Sequence, residues 1–310
     1  NRFENSRVVA PQQDQYFSGL IWQRTLSKGL LTTTLGRTFT RYTTTQNDSG
    51  GPGREPSVIF AANTTEGEQS LRTDLQWQLS PRVDVETGVV AKYGSDLRYD
   101  LTVPGAFRRD AAFVERPLRR DTSFTATRGA LYTQATSRLG ERLRLTLGVR
   151  GDWYGYLSNA VRTAPRASAV WQHSARTSAS VSVGRYWQPP QLIWLVGDTS
   201  NASLKPFASD QVIAGVSRTL RDDVKLQVEV YGKRYRQYPA RRFRPQAVLQ
   251  PSGFDDATND IPFGLEPLAN LGRGTVIGAE LLLQKKLSQV PVYGLVTISA
   301  NRTRFAAVDG

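Results

Sequence analysis

The chain has 310 residues, 39% apolar and 10% aromatic, with 40 lysines and arginines against 27 acidic residues for a formal charge of +13. It has no cysteine, which excludes a disulfide framework, a thiolate metal site and a cysteine nucleophile; one histidine, His173, excludes a multi-histidine metal centre. The longest notable apolar run, Leu192 to Val196, is far shorter than the ~20 residues of a membrane helix.

In chain order, strands are expected at roughly 1–10, 16–26, 30–45, 68–79, 82–94, 122–139, 143–156, 162–173, 176–186, 207–220, 223–236, 271–287 and 291–303. Each rests on period-two alternation, in which successive side chains point to opposite faces. Leu71, Thr73, Leu75, Trp77 and Leu79 oppose Arg72, Asp74, Gln76 and Gln78. Val83, Val85, Val89 and Ala91 oppose Asp84, Glu86 and Lys92. Leu143, Leu145, Leu147 and Val149 oppose Arg144, Thr146, Arg150 and Asp152, and Val224, Leu226, Val228 and Val230 oppose Lys225, Gln227 and Glu229.

Six connections read as tight: Ser27–Gly29, Ser80–Arg82, Gly140–Arg142, Ser174–Arg176, Arg221–Asp223 and Ser288–Val290. The intervening ones are mostly long, as in Gln46–Gly67, Ser95–Asp121, Trp187–Lys205 and Gln237–Asn270. One rim of short turns and one of long loops is the layout of an outer-membrane β-barrel. Several strands persist for ten or more residues, as a tilted membrane-spanning strand requires. Trp22, Trp77 and Trp171 precede short turns and Trp153 lies near the opposite end of its strand, as aromatic girdles at two interfaces would place them. The fold expected is therefore all-β: an antiparallel transmembrane β-barrel segment of about 13 strands. Single-chain bacterial barrels have even strand numbers, so an odd count, with no methionine and no leader at Asn1-Arg2-Phe3, reads as a partial barrel over residues 1–310 with closing strands absent.

From about Ala130 onward the chain carries Leu131-Tyr132-Thr133-Gln134, Leu147-Gly148-Val149-Arg150-Gly151-Asp152 and Ala164-Pro165-Arg166-Ala167. Gly184-Arg185-Tyr186-Trp187-Gln188-Pro189-Pro190 follows, then Leu204-Lys205-Pro206, Asp210-Gln211, Asn270-Leu271-Gly272-Arg273-Gly274 and Gly278-Ala279-Glu280. In this order and spacing the second half of the chain resembles the C-terminal part of TonB-dependent outer-membrane receptors. The resemblance implies a 22-stranded barrel with an N-terminal plug, a bacterial outer-membrane location and no enzymatic activity. It also implies import of a scarce cargo, be it iron chelate, cobalamin, saccharide or peptide, driven by a TonB-type energy transducer. No plug and no energy-coupling box is read near residue 1, so contact with the transducer would run through an N-terminal region outside this sequence. A passive porin-like channel and a soluble β-rich binding or structural protein are the competing readings.

Several motifs have a plainer explanation. The glycine pattern Gly272-Arg273-Gly274-Thr275-Val276-Ile277-Gly278 leads into β-alternation, whereas a dinucleotide fingerprint opens a helix. Asn47, Asn63, Asn201 and Asn301 begin glycosylation-type triplets that agree with loops and strand ends, and Asp222-Asp223 and Asp255-Asp256 read as solvated turns. The basic residues are scattered, which argues against nucleic-acid binding and suits a lumen or a rim facing lipopolysaccharide. Outer-membrane lipid and lipopolysaccharide are thus expected partners, and no cofactor is expected. Ligand contact is expected from the loop Trp187–Trp194 and from Tyr235, Tyr238, Arg241, Arg242 and Arg244, whose rings and guanidinium groups suit stacking and bidentate anion binding.

Overall fold

The computed structural model describes residues 7–9, 11–48, 55, 57–109, 115–158, 161–242 and 265–307. They form one antiparallel sheet of 13 strand segments. These are β1 (Arg7–Val9), β2 (Gln12–Leu26), β3 (Gly29–Asp48), β4 (Ser57–Ser80), β5 (Val83–Arg109), β6 (Glu115–Leu139) and β7 (Leu143–Tyr154). They continue as β8 (Val161–Ser174), β9 (Thr177–Gln188), β10 (Phe207–Arg221), β11 (Val224–Arg241), β12 (Leu268–Lys285) and β13 (Gly294–Ala306). Between β9 and β10 lie a short helix, α1 (Leu192–Gly197), and a 3-10 turn, Thr199–Ser203. No helix among the described residues is long and apolar enough to cross a membrane, which leaves any crossing to the strands.

The odd number has a simple origin. β1 and β2 both pair with β3 in one unbroken register, Val9 opposite Gln46 and Gln12 opposite Thr43. They are one strand interrupted around Pro11, which has no N–H to give to the ladder. Every other strand pairs with its sequence neighbours.

Side chains sort to two faces. Leu147, Val149 and Trp153 of β7, Val228 and Val230 of β11, and Trp22 and Trp171 near the short turns are all exposed on the outer face. The inner face carries the polar partners of the alternation, Arg72 and Asp74, Glu86, Gln134 and Arg150, joined by ion pairs along a strand, Arg72 with Asp74 and Arg150 with Asp152, and by a hydrogen bond across strands from Gln134 to Glu86. An apolar exterior around a polar interior is the reverse of a soluble β-protein and the pattern of a lipid-embedded one.

Two expectations about connections are corrected. The stretches Gln46–Gly67 and Ser95–Asp121 are largely strand: β4, β5 and β6 run for 24, 27 and 25 residues. A bulge on β5 between Gly94 and Leu97 adds one residue relative to both β4 and β6 and shifts the phase of β5's alternation. A bulge inserts unpaired residues without ending the strand. Gly67 is needed at this crossing, since a Cβ on it would lie 2.6 Å from the Asp96 carboxylate. The second correction concerns Ser288–Val290. β12 ends at Lys285 and β13 begins only at Gly294, so residues 286–293 form a longer connection, in which Lys286 N–H is bonded to Asp223 O.

The inner-face glycines explain the glycine pattern. A Cβ on Gly274 would meet the Phe305 ring at 2.3 Å, and one on Gly278 the Tyr231 ring at 2.5 Å. Each glycine thus makes room for an aromatic ring on the neighbouring strand.

Candidate functional site

At the long-loop end the chain folds inward. Beyond the bulge, Leu97, Tyr99, Leu101 and Val103 of β5 and Leu118 and Ala126 of β6 are buried together on the inner face. Leu192, Ile193 and Val196 of α1 pack against them, as does Leu265 from the β11–β12 connection. The run Leu192–Val196 is therefore apolar because it docks inside the sheet's curvature.

Polar contacts fasten this inward loop. Asn201 is fully buried; its Nδ2 donates to Trp194 O at 2.8 Å and Glu266 O at 3.0 Å, and its Oδ1 accepts from Leu268 N–H at 2.7 Å. Asn270 donates to the carbonyls of Lys205 (3.0 Å) and Gln237 (2.7 Å) and accepts from Lys205 N–H (2.8 Å). Gln237 has φ 58°, a left-handed conformation costly for a residue with a Cβ, and the Asn270 contact helps hold it there. Arg241 and Glu266, each 2% exposed, form a buried ion pair at 2.6 Å. Such a pair fixes a conformation more than it adds stability.

Below the loop the inner wall holds two adjoining recesses of about 350 and 400 Å³ that share Arg128 and Pro189. Their walls include Lys92, Arg150, Asp152, Tyr154, Tyr156 and Trp187. The charges are matched: Lys92 pairs with Glu68 at 2.7 Å, Arg128 also bonds Glu68, and Arg150 pairs with Asp152 at 2.9 Å. Deeper, the Tyr132 ring lies between the Arg72 and Arg150 guanidinium groups, 5.8 Å from each, and its hydroxyl bonds Asp74. Recesses of this size suit a small molecule. Among the described residues no group of three or more acidic or histidine side chains could hold a metal ion.

The expected contact residues are spread over several places. Trp187 lines the recess, donates from Nε1 to Thr163 O at 2.7 Å, and has the Arg162 and Arg185 guanidinium groups 5.3 and 5.9 Å from its ring. Trp194 is 6% exposed, in an apolar cluster with Leu204 and Leu268. Tyr235 and Tyr238 pack at a tilt against Phe305, both at 5.4 Å, and Tyr238 also meets Phe207 edge-on at 5.0 Å. Arg241 is in the buried pair, Arg242 lines a separate surface recess with Asn270, and Arg244 lies outside the described residues, as does Asp255-Asp256. Sequence reasoning missed Lys92, Arg128, Arg150 and Asp152; each is an ordinary polar member of an alternating strand, and only cross-strand register brings them together.

The β-barrel model described as TonB dependent receptor-like matches residues 1–309. Among solved structures, the outer membrane transporter YddB from Escherichia coli superposes with a TM-score of 0.66 at 14% identity, covering 96% of this chain and 43% of that one. The ferric yersiniabactin uptake receptor FyuA from Yersinia pestis gives 0.62 at 15% identity, covering 96% and 43%. A mutant of the ferric enterobactin receptor PfeA from Pseudomonas aeruginosa gives 0.62 at 14% identity, covering 95% and 44%. A comparison with curated proteins finds no match. The chain thus spans less than half the length of these structural relatives. Its match over nearly its whole length, joined to a polar inner wall and an apolar outer one, means that the chain belongs to the TonB-dependent receptor β-barrel family and to the bacterial outer membrane.

Proposed function

We propose that this chain forms part of the barrel wall of an active outer-membrane transporter. Its short turns face the periplasm and its inward loop faces the cell exterior. The complete protein would bind a scarce nutrient and draw energy from a TonB-type transducer through an N-terminal plug outside this sequence. It would catalyse no covalent reaction. The carrying observation is the pair of recesses beneath the inward-folded loop, at the long-loop end of an otherwise charged inner wall.

Lys92, Arg128 and Arg150 are offset by Glu66, Glu68 and Asp152 around these recesses. The site would therefore select by hydrogen bonding and stacking on Trp187, Tyr154 and Tyr156 rather than by net charge. The structural relatives named for ferric enterobactin and ferric yersiniabactin suggest a compact chelate, and the RagAB peptide importer suggests a peptide. Of the seven residues first singled out, Trp187 is proposed to touch cargo, with Tyr235, Tyr238 and Arg242 nearer the mouth. Trp194 and Arg241 would hold the loop.

The test uses cells in which the full-length receptor is the sole route for a limiting nutrient. Uptake should stop when the proton-motive force is dissipated and fall with Trp187→Ala or Arg128→Ala. Uptake that persists without energy, with an open conductance of the purified receptor in planar bilayers, would replace this proposal with the passive channel.

A further inference from the structure

The short-turn rim carries a row of cations that cargo transport does not use. Each of its six connections places one exposed lysine or arginine at or beside the tip: Lys28, Arg82, Arg142, Arg176, Arg221 and Lys286. The backbone repeats the placement. Lys28, Arg82, Arg142 and Arg176 each immediately precede a returning strand, and their carbonyls accept from Gln78, Arg138, Gln172 and Thr219 N–H of the next hairpin at 2.7–2.8 Å. Neighbouring hairpins lie two strand spacings apart, so these cations recur about every 10 Å along the rim.

Few of the charges are answered within the sheet. The ion pairs of this rim are Arg138 with Asp84 at 2.7 Å, Arg176 with Asp222 at 3.0 Å, and Lys285 with Asp223. They use up the carboxylates beside the turns except Glu141. Lys28, Arg82, Arg142, Arg221 and Lys286 stand outside these pairs, which leaves the rim with a surplus of positive charge.

Height decides which anion the row can meet. Trp22, Trp77 and Trp171 of the outer face mark the lower membrane interface. From each the strand runs three or four residues further, to Leu26, Ser80 and Ser174, before its turn. At roughly 2.4 Å of axial rise per residue, for a tilt of about 45°, that is about 7–10 Å. One headgroup layer is only about 5–8 Å thick, so the turns clear the lipid and enter the periplasm. Five of the six turns hold no apolar side chain larger than proline, so they lack the anchors on which a globular partner would dock. A single exposed ion pair contributes little. Evenly spaced weak sites suit instead a flexible polymer with an anion in every repeat, whose linked contacts reinforce one another through effective concentration.

We propose that this row docks the receptor on the peptidoglycan of the cell wall, whose peptide stems present free carboxylates along the polymer. Guanidinium forks and ammonium groups both bind carboxylates. The proposal rests on the periplasmic placement of the short turns given above, and cargo uptake is indifferent to it.

The full-length receptor in detergent is incubated with purified peptidoglycan sacculi and sedimented. The parent should co-sediment at low salt and be released at high salt, as screened exposed charges require. Lys28→Gln, Arg82→Gln, Arg142→Gln, Arg221→Gln and Lys286→Gln combined should lower retention by about tenfold or more, and each alone by about twofold. Sacculi whose carboxylates have been amidated should lose the parent to the same extent as the combined variant. Heat-modifiable migration on gels verifies that each variant is folded. Equal retention of parent and folded combined variant, equal retention on native and amidated sacculi, or release by phosphatidylglycerol vesicles but not by soluble muropeptides would overturn the row as a cell-wall contact. Labelling of Ser80→Cys from outside intact cells would refute the periplasmic placement instead, which keeps the two failures apart.

Discussion

Replacing Asn201 with alanine should release the inward loop without disturbing the barrel. The side chain supplies three hydrogen bonds, to Trp194 O, Glu266 O and Leu268 N–H, and the residue is fully buried. Alanine leaves those three backbone groups without this partner and out of reach of water. A buried polar group deprived of its partner costs about 1–3 kcal/mol, so even at the low end the loop loses about 3 kcal/mol of docking free energy. That is roughly a hundredfold increase in its opening equilibrium. Amide hydrogen exchange on the full-length receptor in detergent reads this directly. Exchange over residues 192–204 and 265–268 should accelerate by about that factor, while β7 and β8 keep their protection. Ser203→Ala, on the exposed side of the same turn, should change exchange little. If Asn201→Ala exchanges like the parent, the loop is held by Leu192, Ile193 and Val196 alone and the latch reasoning fails.

Arginine at Val228 on the outer face should cost ~2–4 kcal/mol in a vesicle-folding assay and at Gln227 far less; equal costs would refute the register. Gly88→Ala puts a Cβ 2.6 Å from the Tyr132 hydroxyl, its Cζ and the Asp74 Oδ1, and should destabilise by ~1–3 kcal/mol. Combining it with Tyr132→Leu, which frees both the ring's space and the Asp74 carboxylate that the hydroxyl holds, should recover part of that loss, and a strictly additive double mutant would contradict the ring-over-glycine packing. In the β10–β11 turn, hydrogen bonds from Lys285 and Ser288 hold the Asp223 carboxyl down to about 2. The folded value lies below the ordinary ~3.9, so this stabilisation is fully present above pH ~3.9 and lost as pH falls through about 2. Carbon-13 NMR of the carboxyl should show Lys285→Ala moving the titration up toward the ordinary value; an unmoved midpoint would exclude Lys285 as the cause.

Strand direction, facing and overall class were legible in the sequence, because period-two alternation is a local property. Leu145, Leu147 and Val228 announce one face and Arg150, Gln227 and Glu229 the other wherever the strand is regular. The family resemblance was legible for the same reason, being carried by short segments such as Leu147 to Asp152. What the sequence could not disclose depends on partners distant in the chain. The bulge between Gly94 and Leu97 shifts the alternation of β5, so half of that strand looked like a loop until its pairing with β4 and β6 was known. Pro11 made one strand look like two. Arg128 meets Glu68 on a strand not adjacent in sequence, while Trp194 and Arg241, which looked like ligand contacts, are buried by the docking of one long connection on another. Local periodicity determined which residues face lipid. Cross-strand register and loop docking, which need long-range contacts to repay their closure entropy, decided where a recess could form.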